Sequence, residues 1–313
     1  MTSASPIRVA VFAHFDPDGH VAPHVMAAVE SSGSFVNRLI VVSTAQLTAE
    51  ARARLSEHSE LYERANDGHD FASYRHGLRQ CGPDADQVIL TNDSVVFPYD
   101  PQRIFETMSS RGADFWGLTP GYGFSHHIQS YFLVFERAAL DSRAFHEFWS
   151  GVEDLTARQD VIVRGEVALS AALAGAGLKL DTVYRPGPVE LIRGAVRAHA
   201  MELEAAVSER RWRAVAGWLR RLPSRARHPE WNAAVALADV SLRRPNRLPG
   251  IRISTVRDDA YHLGTPRLLN ALALRYPALL GHAEAYLERT DGAYGQRWGT
   301  TKAAPSLRLR YRC

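Results

Sequence analysis

Short, unbroken apolar runs constrain this chain more than any other feature. Ile7 to Ala13 (interrupted only by Arg8), Leu39 to Val42 and Val88 to Leu90 are rich in β-branched residues and do not alternate with polar ones. A short continuous run of this kind reads as a strand buried on both faces, as in a parallel sheet covered by helices. Leu61 and Tyr62 lie in a shorter run between the second and the last of these. Helical spacing separates them: Val21, Val25, Met26 and Val29 after the first, then a segment to about Ser56 with Ala51 and Leu55 facing inward and Thr48 placed to cap it. A third helix runs to about Gln80, and Pro101 suits the first turn of a fourth. Phe115 to Leu118 and Gln129 to Phe135 add two strands. Helices follow around Ser142 to Trp149 and from Glu166 to Ala176, with Gly177 as terminator, and Leu178 to Tyr184 reads as an edge strand. Repeated β–α units over the first 185 or so residues specify an α/β fold, a mostly parallel Rossmann-like sheet with helices on both faces.

The pattern changes after Pro186. From Ile192 to Leu222 the chain is rich in Ala, Arg, Glu and Leu without proline, which predicts one or two helices. Arg210, Arg211, Arg213, Arg220, Arg221, Arg225 and Arg227 give it a basic face, suited to solvent, phosphate or an anionic membrane surface. A last helix is expected from Arg267 to about Leu287, interrupted at Tyr276-Pro277. The expected division is therefore 1–188, a nucleotide-sugar-binding catalytic α/β domain on the reading developed below, and 189–313, a helical Arg-rich region packed on it.

Composition narrows the setting. A net charge of +3 is too mild to argue for a nucleic-acid partner. Two cysteines, Cys81 and Cys313, exclude a disulfide framework or a Cys-based zinc site and point to a reducing compartment. The start shows no basic segment followed by an apolar one, and no stretch of about 18 apolar residues occurs. A cytoplasmic protein is expected.

Four polar sites stand at strand ends or helix starts: His14 to Asp18, Arg64 to Asp70, Asn92-Asp93-Ser94, and Glu166. In an open α/β sheet, ligands lie outside the carboxyl ends of the strands. All four can converge there. Such a rim suits a nucleotide, whose base and ribose need polar partners and whose diphosphate needs compensating charge. Each site also has a plain structural reading, an Asx turn at Asn92 to Ser94 and a cap or helix-dipole partner at Asp70 or Glu166.

Six segments together resemble the rhamnan synthesis protein F family, glycosyltransferases of bacterial surface polysaccharides. They are Val11 to Asp16, Glu63 to Arg75, Thr91 to Val95, Asp114 to Thr119, His127 to Phe135 and Gly165 to Ser170, with a fainter echo at Tyr261 to Leu263 and Arg275 to Leu280. The resemblance implies an A-type glycosyltransferase fold and a nucleotide-sugar donor. It implies that Ala13, His14, Phe15 and Asp16 face base and ribose with Asp70, near Arg64, Asn66, Gly68 and Tyr74. Asn92, Asp93 and Ser94 would face diphosphate and sugar. They resemble an Asp-x-Asp metal motif with both outer aspartates replaced, and Asn and Ser are weaker ligands than carboxylates for a hard cation. A divalent Mn or Mg cofactor, held through Asp93, is thus left open. Glu166 resembles the general base of inverting members. Arg75, His262 and Arg267 are candidates for the departing diphosphate, and Trp116, His126, His127 and Gln129 for the acceptor side. The implied donor is dTDP-, GDP- or UDP-linked, with rhamnose or another deoxyhexose first. The acceptor is a glycan, a lipid-linked glycan or a small molecule, reached at the inner face of the membrane if the arginines dock there.

Two rivals stand beside this reading. His14-Phe-Asp-Pro-Asp-Gly19 resembles the opening motif of the DHH phosphoesterases, which bind two manganese ions, although Ser125-His-His127 lacks the required aspartate. The degenerate Asn92-Asp-Ser94 would also suit a non-catalytic nucleotide-sugar-binding partner subunit.

Overall fold

The computed structural model describes residues 6–96, 101–122, 125–155, 157–208, 212–213, 216, 233–242, 250–258, 261, 263–264, 268–271 and 277–290. In chain order its first elements are β1 (Arg8–His14), α1 (Pro23–Ser32), β2 (Arg38–Ser43), α2 (Ala49–His58), β3 (Glu60–Glu63), α3 (His69–Leu78), β4 (Gln87–Asn92), β5 (Val95–Val96) and α4 (Pro101–Ser109). Next come β6 (Phe115–Gly117), β7 (Pro120–Gly121), β8 (His127–Ile128), β9 (Phe132–Glu136), α5 (Arg137–Leu140), α6 (Arg143–Gly151) and α7 (Arg158–Val161). A π-helical turn (Ile162–Val167) leads into α8 (Ala168–Gly175), followed by β10 (Leu180–Thr182) and α9 (Pro188–Ser208). The last described elements are α10 (Ala233–Ala236), α11 (Ala238–Ser241), β11 (Ile251–Arg252), α12 (Ile253–Asp258) and α13 (Pro277–Arg289).

Seven strands form one sheet in the order β10-β6-β9-β4-β1-β2-β3. All neighbours are parallel except β9, which runs antiparallel to both β4 and β6. The expected α/β class and mostly parallel sheet are therefore present. The exception follows from the connection: a loop carrying the β7–β8 ladder, not a helix, joins β6 to β9. Antiparallel neighbours can be joined by a loop, whereas parallel ones need a crossover. Reversal of β9 brings its start, beside Ser130 and Tyr131, to the same rim as the carboxyl ends of β1 to β4, since Thr91 pairs with Phe132.

Every residue of β4 is buried, as its unbroken apolar run requires. Val88, Ile89 and Leu90 are at most 2% exposed, and burying such a side chain contributes about 1.5–3 kcal/mol. That anchors a strand whose last residue, Asn92, pairs with Ala13 at the rim of the sheet. Local signals act as expected at several ends. Thr48 accepts a hydrogen bond from the Ala51 amide (3.1 Å), and Ser142 caps α6 through the Phe145 amide (3.2 Å). After α8, Gly177 has φ +84°, and the Gly177 and Leu178 amides return to the Ala174 and Leu173 carbonyls. These are the two bonds of a Schellman stop.

Other expectations change. The helix expected to start at Glu166 already begins at Arg158, and Glu166 lies inside its π turn rather than at a free helix start. Pro277 opens the last helix, which runs to Arg289, while 272–276 lie outside the described residues. So do most of 209–232, 243–249 and the basic tail, including Trp218 and the prolines between. Beyond residue 232, Ala236, Ile253, Val256, Leu268, Ala283 and Leu287 share one apolar cluster with α1 and one face of the sheet. Strand β11 pairs antiparallel with β5, placing Ile251 opposite Val96 and Arg252 opposite Val95.

Candidate functional site

The site is the rim outside the carboxyl ends of β1 to β4, closed on one side by the start of β9 and the π turn. Its first wall is the loop after β1. Ala13 is buried; it contributes its carbonyl, which accepts from the Asp93 amide (3.1 Å). His14 is buried, with Nδ1 3.0 Å from Ser43 Oγ, and burial pulls its pKa down to about 4 despite Asp16 nearby. Asp16 accepts from the Asp18 and His20 amides and is clasped by Arg289, which also reaches Asp18 at 2.7 Å. Burial alone would raise the Asp16 carboxyl, but these donors hold it below the ordinary value. Gly19 has φ +72°, and a Cβ there would lie 2.0 Å from the Gln46 carbonyl oxygen. The His-x-Asp-x-Asp-Gly pattern thus builds a turn clamped from two sides. Among the described residues no group of three or more His, Cys, Asp or Glu could hold a metal ion. Asp16 and Asp18, the carboxylates the DHH pattern would use, are engaged by Arg289 instead.

The second wall is the turn after β4. Asn92 Nδ2 donates to Asp70 Oδ2 (2.7 Å), while its Oδ1 accepts from the Ser94 amide (3.2 Å) and hydroxyl (2.5 Å). Asp93 Oδ2 accepts from the Phe15 amide (2.5 Å), and the Asp93 carbonyl faces His24 Nε2 (3.1 Å). Burial raises the Asp70 carboxyl, and Glu166 adds to that, against Asn92 and Arg252. Burial and then Asp70 push Asp93 well above the usual carboxylate range. Asp70 enters the rim because Gly68 and His69 both take left-handed conformations (φ +73° and +51°) just ahead of it.

The third wall holds Glu166, which is 8% exposed. Its Oε1 accepts from the Ser130 amide (3.3 Å) and hydroxyl (2.5 Å), and its Oε2 lies 3.5 Å from His127 Nε2. Burial would raise this carboxyl too, but His127, Arg252 and Ser130 outweigh it and hold it below its ordinary value. The other His127 nitrogen faces the Ser125 carbonyl at 2.9 Å, so both ring nitrogens meet oxygens. The ring lies against Gly121, where a Cβ would come within 2.2 Å of Nε2. A π turn is a frequent device at functional positions, since it rotates one side chain out of the α-helical sequence.

The structure brings together Phe15, Asp70, Asn92, Asp93, Ser94, His127 and Glu166, and sets other expected residues elsewhere. Tyr74 is fully buried, with its hydroxyl on the Ser130 carbonyl (3.0 Å), so it supports Glu166's partner instead of meeting a nucleotide. Trp116 is 1% exposed and donates Nε1 to Glu136 (2.9 Å), so it is a core residue and not an acceptor platform. Arg75 binds Asp154 (2.7 Å) and the Val152 carbonyl, away from Asn92 to Ser94. Arg64 holds the Asp67 carbonyl (2.8 Å), Asn66 is exposed, and Gly68 is buried against Asp154. Arg64 lines a shallow cleft with Ala45, Gln46 and Leu47 beside β2 and β3. His126 is exposed with its ring 5.5 Å from Tyr122, and Gln129 Oε1 accepts from Thr119 (2.8 Å). His262 and Arg267 lie outside the described residues. The sequence reading missed Ser130, Arg252 and Arg289. Ser130 sat in a quoted segment. The two arginines reach the rim from far along the chain, and no local pattern marks them.

The residues on the Asn92 turn fit a divalent metal poorly. Asn92 and Ser94 satisfy each other, and Asp93 holds the Phe15 amide.

Fold and site together define an α/β protein with an acid-lined polar rim at its strand ends. The chain belongs to the rhamnan synthesis protein F family, whose sequence model matches residues 39–201. It is 31% identical over 160 residues to the uncharacterized protein y4gN of Sinorhizobium fredii, a match covering 47% of this chain and 41% of that one. It is 26% identical over 138 residues to virulence protein VirA of Vibrio anguillarum, covering 42% and 43%. The aligned part thus spans less than half the length of these curated relatives. Among solved structures, 4-diphosphocytidyl-2C-methyl-D-erythritol synthase from Anaerococcus prevotii aligns at 10% identity and a TM-score of 0.39, covering 56% of this chain and 86% of that one. A Mycobacterium tuberculosis protein solved with manganese, Rv0371C, aligns at 15% identity and a TM-score of 0.35, covering 57% and 88%.

Proposed function

We propose that this protein is an inverting glycosyltransferase that uses a nucleoside-diphosphate sugar, with Glu166 as general base. The observation that carries the reading is the Glu166 carboxylate. It is buried, kept ionised by its neighbours, and sits on the same rim as Asp70 and Asp93. In the proposed step an acceptor hydroxyl attacks the anomeric carbon, and its proton passes to Glu166. The bond from that carbon to the diphosphate breaks on the opposite face, with the electron pair leaving on the nucleoside diphosphate. A carboxylate already ionised at neutral pH is ready to accept the proton. The donor in this reading carries a deoxyhexose such as rhamnose on dTDP, GDP or UDP.

The test is turnover across these nucleotide sugars, with and without Mn²⁺ or Mg²⁺, for wild type and Glu166→Gln. We expect donor-dependent transfer that falls about 10²–10⁴-fold in the variant, because an amide cannot take the proton. Full activity in Glu166→Gln overturns the assigned base. A chain that binds nucleotide sugars but transfers from none of them is the partner subunit instead.

The acceptor side of the reading includes a membrane surface. Helix α9 exposes Val189, Ile192 and Val196, spaced three and four apart, and Trp212 beyond it is 63% exposed. An apolar stripe next to an Arg-rich stretch suits the headgroup region of an anionic bilayer, where a lipid-linked acceptor would be met. Sedimentation with anionic vesicles at low salt, lost at moderate salt, is the expected result. Among the described residues no helix is long and apolar enough to cross a membrane.

A further inference from the structure

Arg252 is the last residue of β11, and two backbone contacts fix its place. It stands opposite Val95 in the β5–β11 ladder, and the next amide, that of Ile253, donates to the Ser94 carbonyl at 2.7 Å. The segment from residue 250 onward is therefore tied directly to the Asn92-Asp93-Ser94 turn. The Arg252 guanidinium carbon lies 5.8 Å from the centre of the Tyr131 ring, and its Nε is buried without a hydrogen-bond partner. Its charge lowers the Asp70, Asp93 and Glu166 carboxyls alike. Of the described arginines expected or found around the donor site, Arg289 is engaged by Asp16 and Asp18, Arg64 by the Asp67 carbonyl and Arg75 by Asp154.

A half-buried guanidinium whose Nε lacks an acceptor is an unfavourable arrangement unless a ligand completes it. The acids around it do not. Burial drives Asp70 and Asp93 toward their protonated forms, and Glu166 is engaged by Ser130 and His127. A fixed cation among carboxyls that are readily neutralised is a site for an anion. On the turn after β4 the oxygens that a hard divalent cation would take up are already engaged, those of Asn92 and Ser94 with each other and Asp93 with the Phe15 amide.

We propose that Arg252 binds the diphosphate of the donor and supplies, from the protein itself, the positive charge that a divalent metal would otherwise bring. The inference rests on the nucleotide-sugar reading given above. A guanidinium presents parallel N–H donors to two phosphate oxygens and keeps its charge at every working pH. As the bond from the anomeric carbon to the diphosphate breaks, negative charge grows on the leaving oxygens. A cation already seated there stabilises that charge without reorganisation.

Calorimetric titration of the full chain with UDP, GDP, dTDP and their nucleosides, each in EDTA and in Mn²⁺, tests this. For wild type we expect one nucleoside diphosphate to bind in EDTA within about threefold of its affinity in Mn²⁺. Arg252→Gln should weaken that nucleoside diphosphate by about 10–100-fold and leave the nucleoside unchanged, with Arg252→Lys recovering part of the loss. Thermal melts of both variants establish that they fold, and Arg252→Lys decides if Arg252→Gln does not. Binding that requires Mn²⁺, or equal affinity in wild type and the variants, overturns the proposal. If no nucleoside diphosphate binds, the donor reading fails, and inorganic pyrophosphate decides the rest. Arg252-dependent pyrophosphate binding in EDTA sustains the anion site, and its absence overturns that too.

Discussion

Two corners of the rim carry carboxyls, one buried and two half-buried, with opposite electrostatics. At the π turn, Glu166 lies below its ordinary pKa; at the turn after β4, Asp70 and Asp93 lie above theirs. Burial pushes all three upward, so it does not separate them. Their partners do. Glu166 has an imidazole and two Ser130 donors, whereas Asp70 has one amide nitrogen, Asp93 has one backbone amide, and the two aspartates repel each other. The same residue chemistry thus yields a standing anion in one corner and two readily protonated acids in the other. The first can take a proton. The second can sit beside a phosphate without repelling it.

Removing His127 should break the contrast most. In His127→Asn, Glu166 loses the partner that does most to offset its burial, and its carboxyl rises. We expect kcat/KM at neutral pH to fall about 10–100-fold, and the acid limb of the pH profile to move to higher pH. The stability of the fold should respond as well. In wild type the depressed Glu166 carboxyl contributes stability above its unfolded pKa, lost as pH falls through the folded one. With His127 gone, that contribution shrinks and stability depends less on pH across the acid range. Thermal melts of both proteins across about pH 4–8 measure it. An unmoved profile would mean that His127 merely fills space beside Gly121.

Asp93→Asn tests the other corner from the opposite direction. A carboxyl raised in the folded state favours folding below its unfolded pKa, and that contribution is lost as pH rises through the folded pKa. An amide has no such dependence and can still accept from the Phe15 amide. We expect the variant to be more stable than wild type near pH 8 by on the order of 1 kcal/mol, with the difference closing in acid. Greater loss of stability at pH 8 than at pH 5 would show instead that Asp93 is needed as an anion.

Much of the fold and part of the rim were legible in the sequence, whereas the electrostatic contrast was not. The strands announced themselves because parallel strands buried on both faces leave unbroken apolar runs, as at Val88 to Leu90. Asn92 and Asp70 were legible because each directly ends a strand or opens a helix. Tyr74, Trp116 and Arg75 were misassigned because sequence shows residue type but not direction. Tyr74 and Trp116 each bury a ring, with the Tyr74 hydroxyl on the Ser130 carbonyl and the Trp116 nitrogen on Glu136, and Arg75 turns to the loop after α6. Glu166 lies on the rim where the sequence puts it, yet its π turn is not legible, since one extra residue in a helical turn leaves no compositional mark. Arg252 and Arg289 were invisible for a further reason. Each reaches the rim from more than 150 residues beyond the β4 turn, and only tertiary packing brings it there.

Ser130 offers the finest test of the contrast. Its hydroxyl donates to Glu166 Oε1, while its amide donates to the same oxygen and its carbonyl holds Tyr74. Ser130→Ala deletes only the first of these and keeps the backbone pair. One hydroxyl bond to a charged acceptor is worth about 1.5–3 kcal/mol at most, and the remaining donors offset part of that. Glu166 should therefore rise in the same direction as in His127→Asn but by less. The expected loss in kcat/KM is about 3–10-fold, greatest at the acid end of the profile. A nucleotide affinity equal to wild type should accompany it, because Ser130 touches the base and not the diphosphate. If Ser130→Ala weakened the nucleoside diphosphate as much as turnover, the two corners would be acting as one site, and their opposite electrostatics could not be assigned to separate roles.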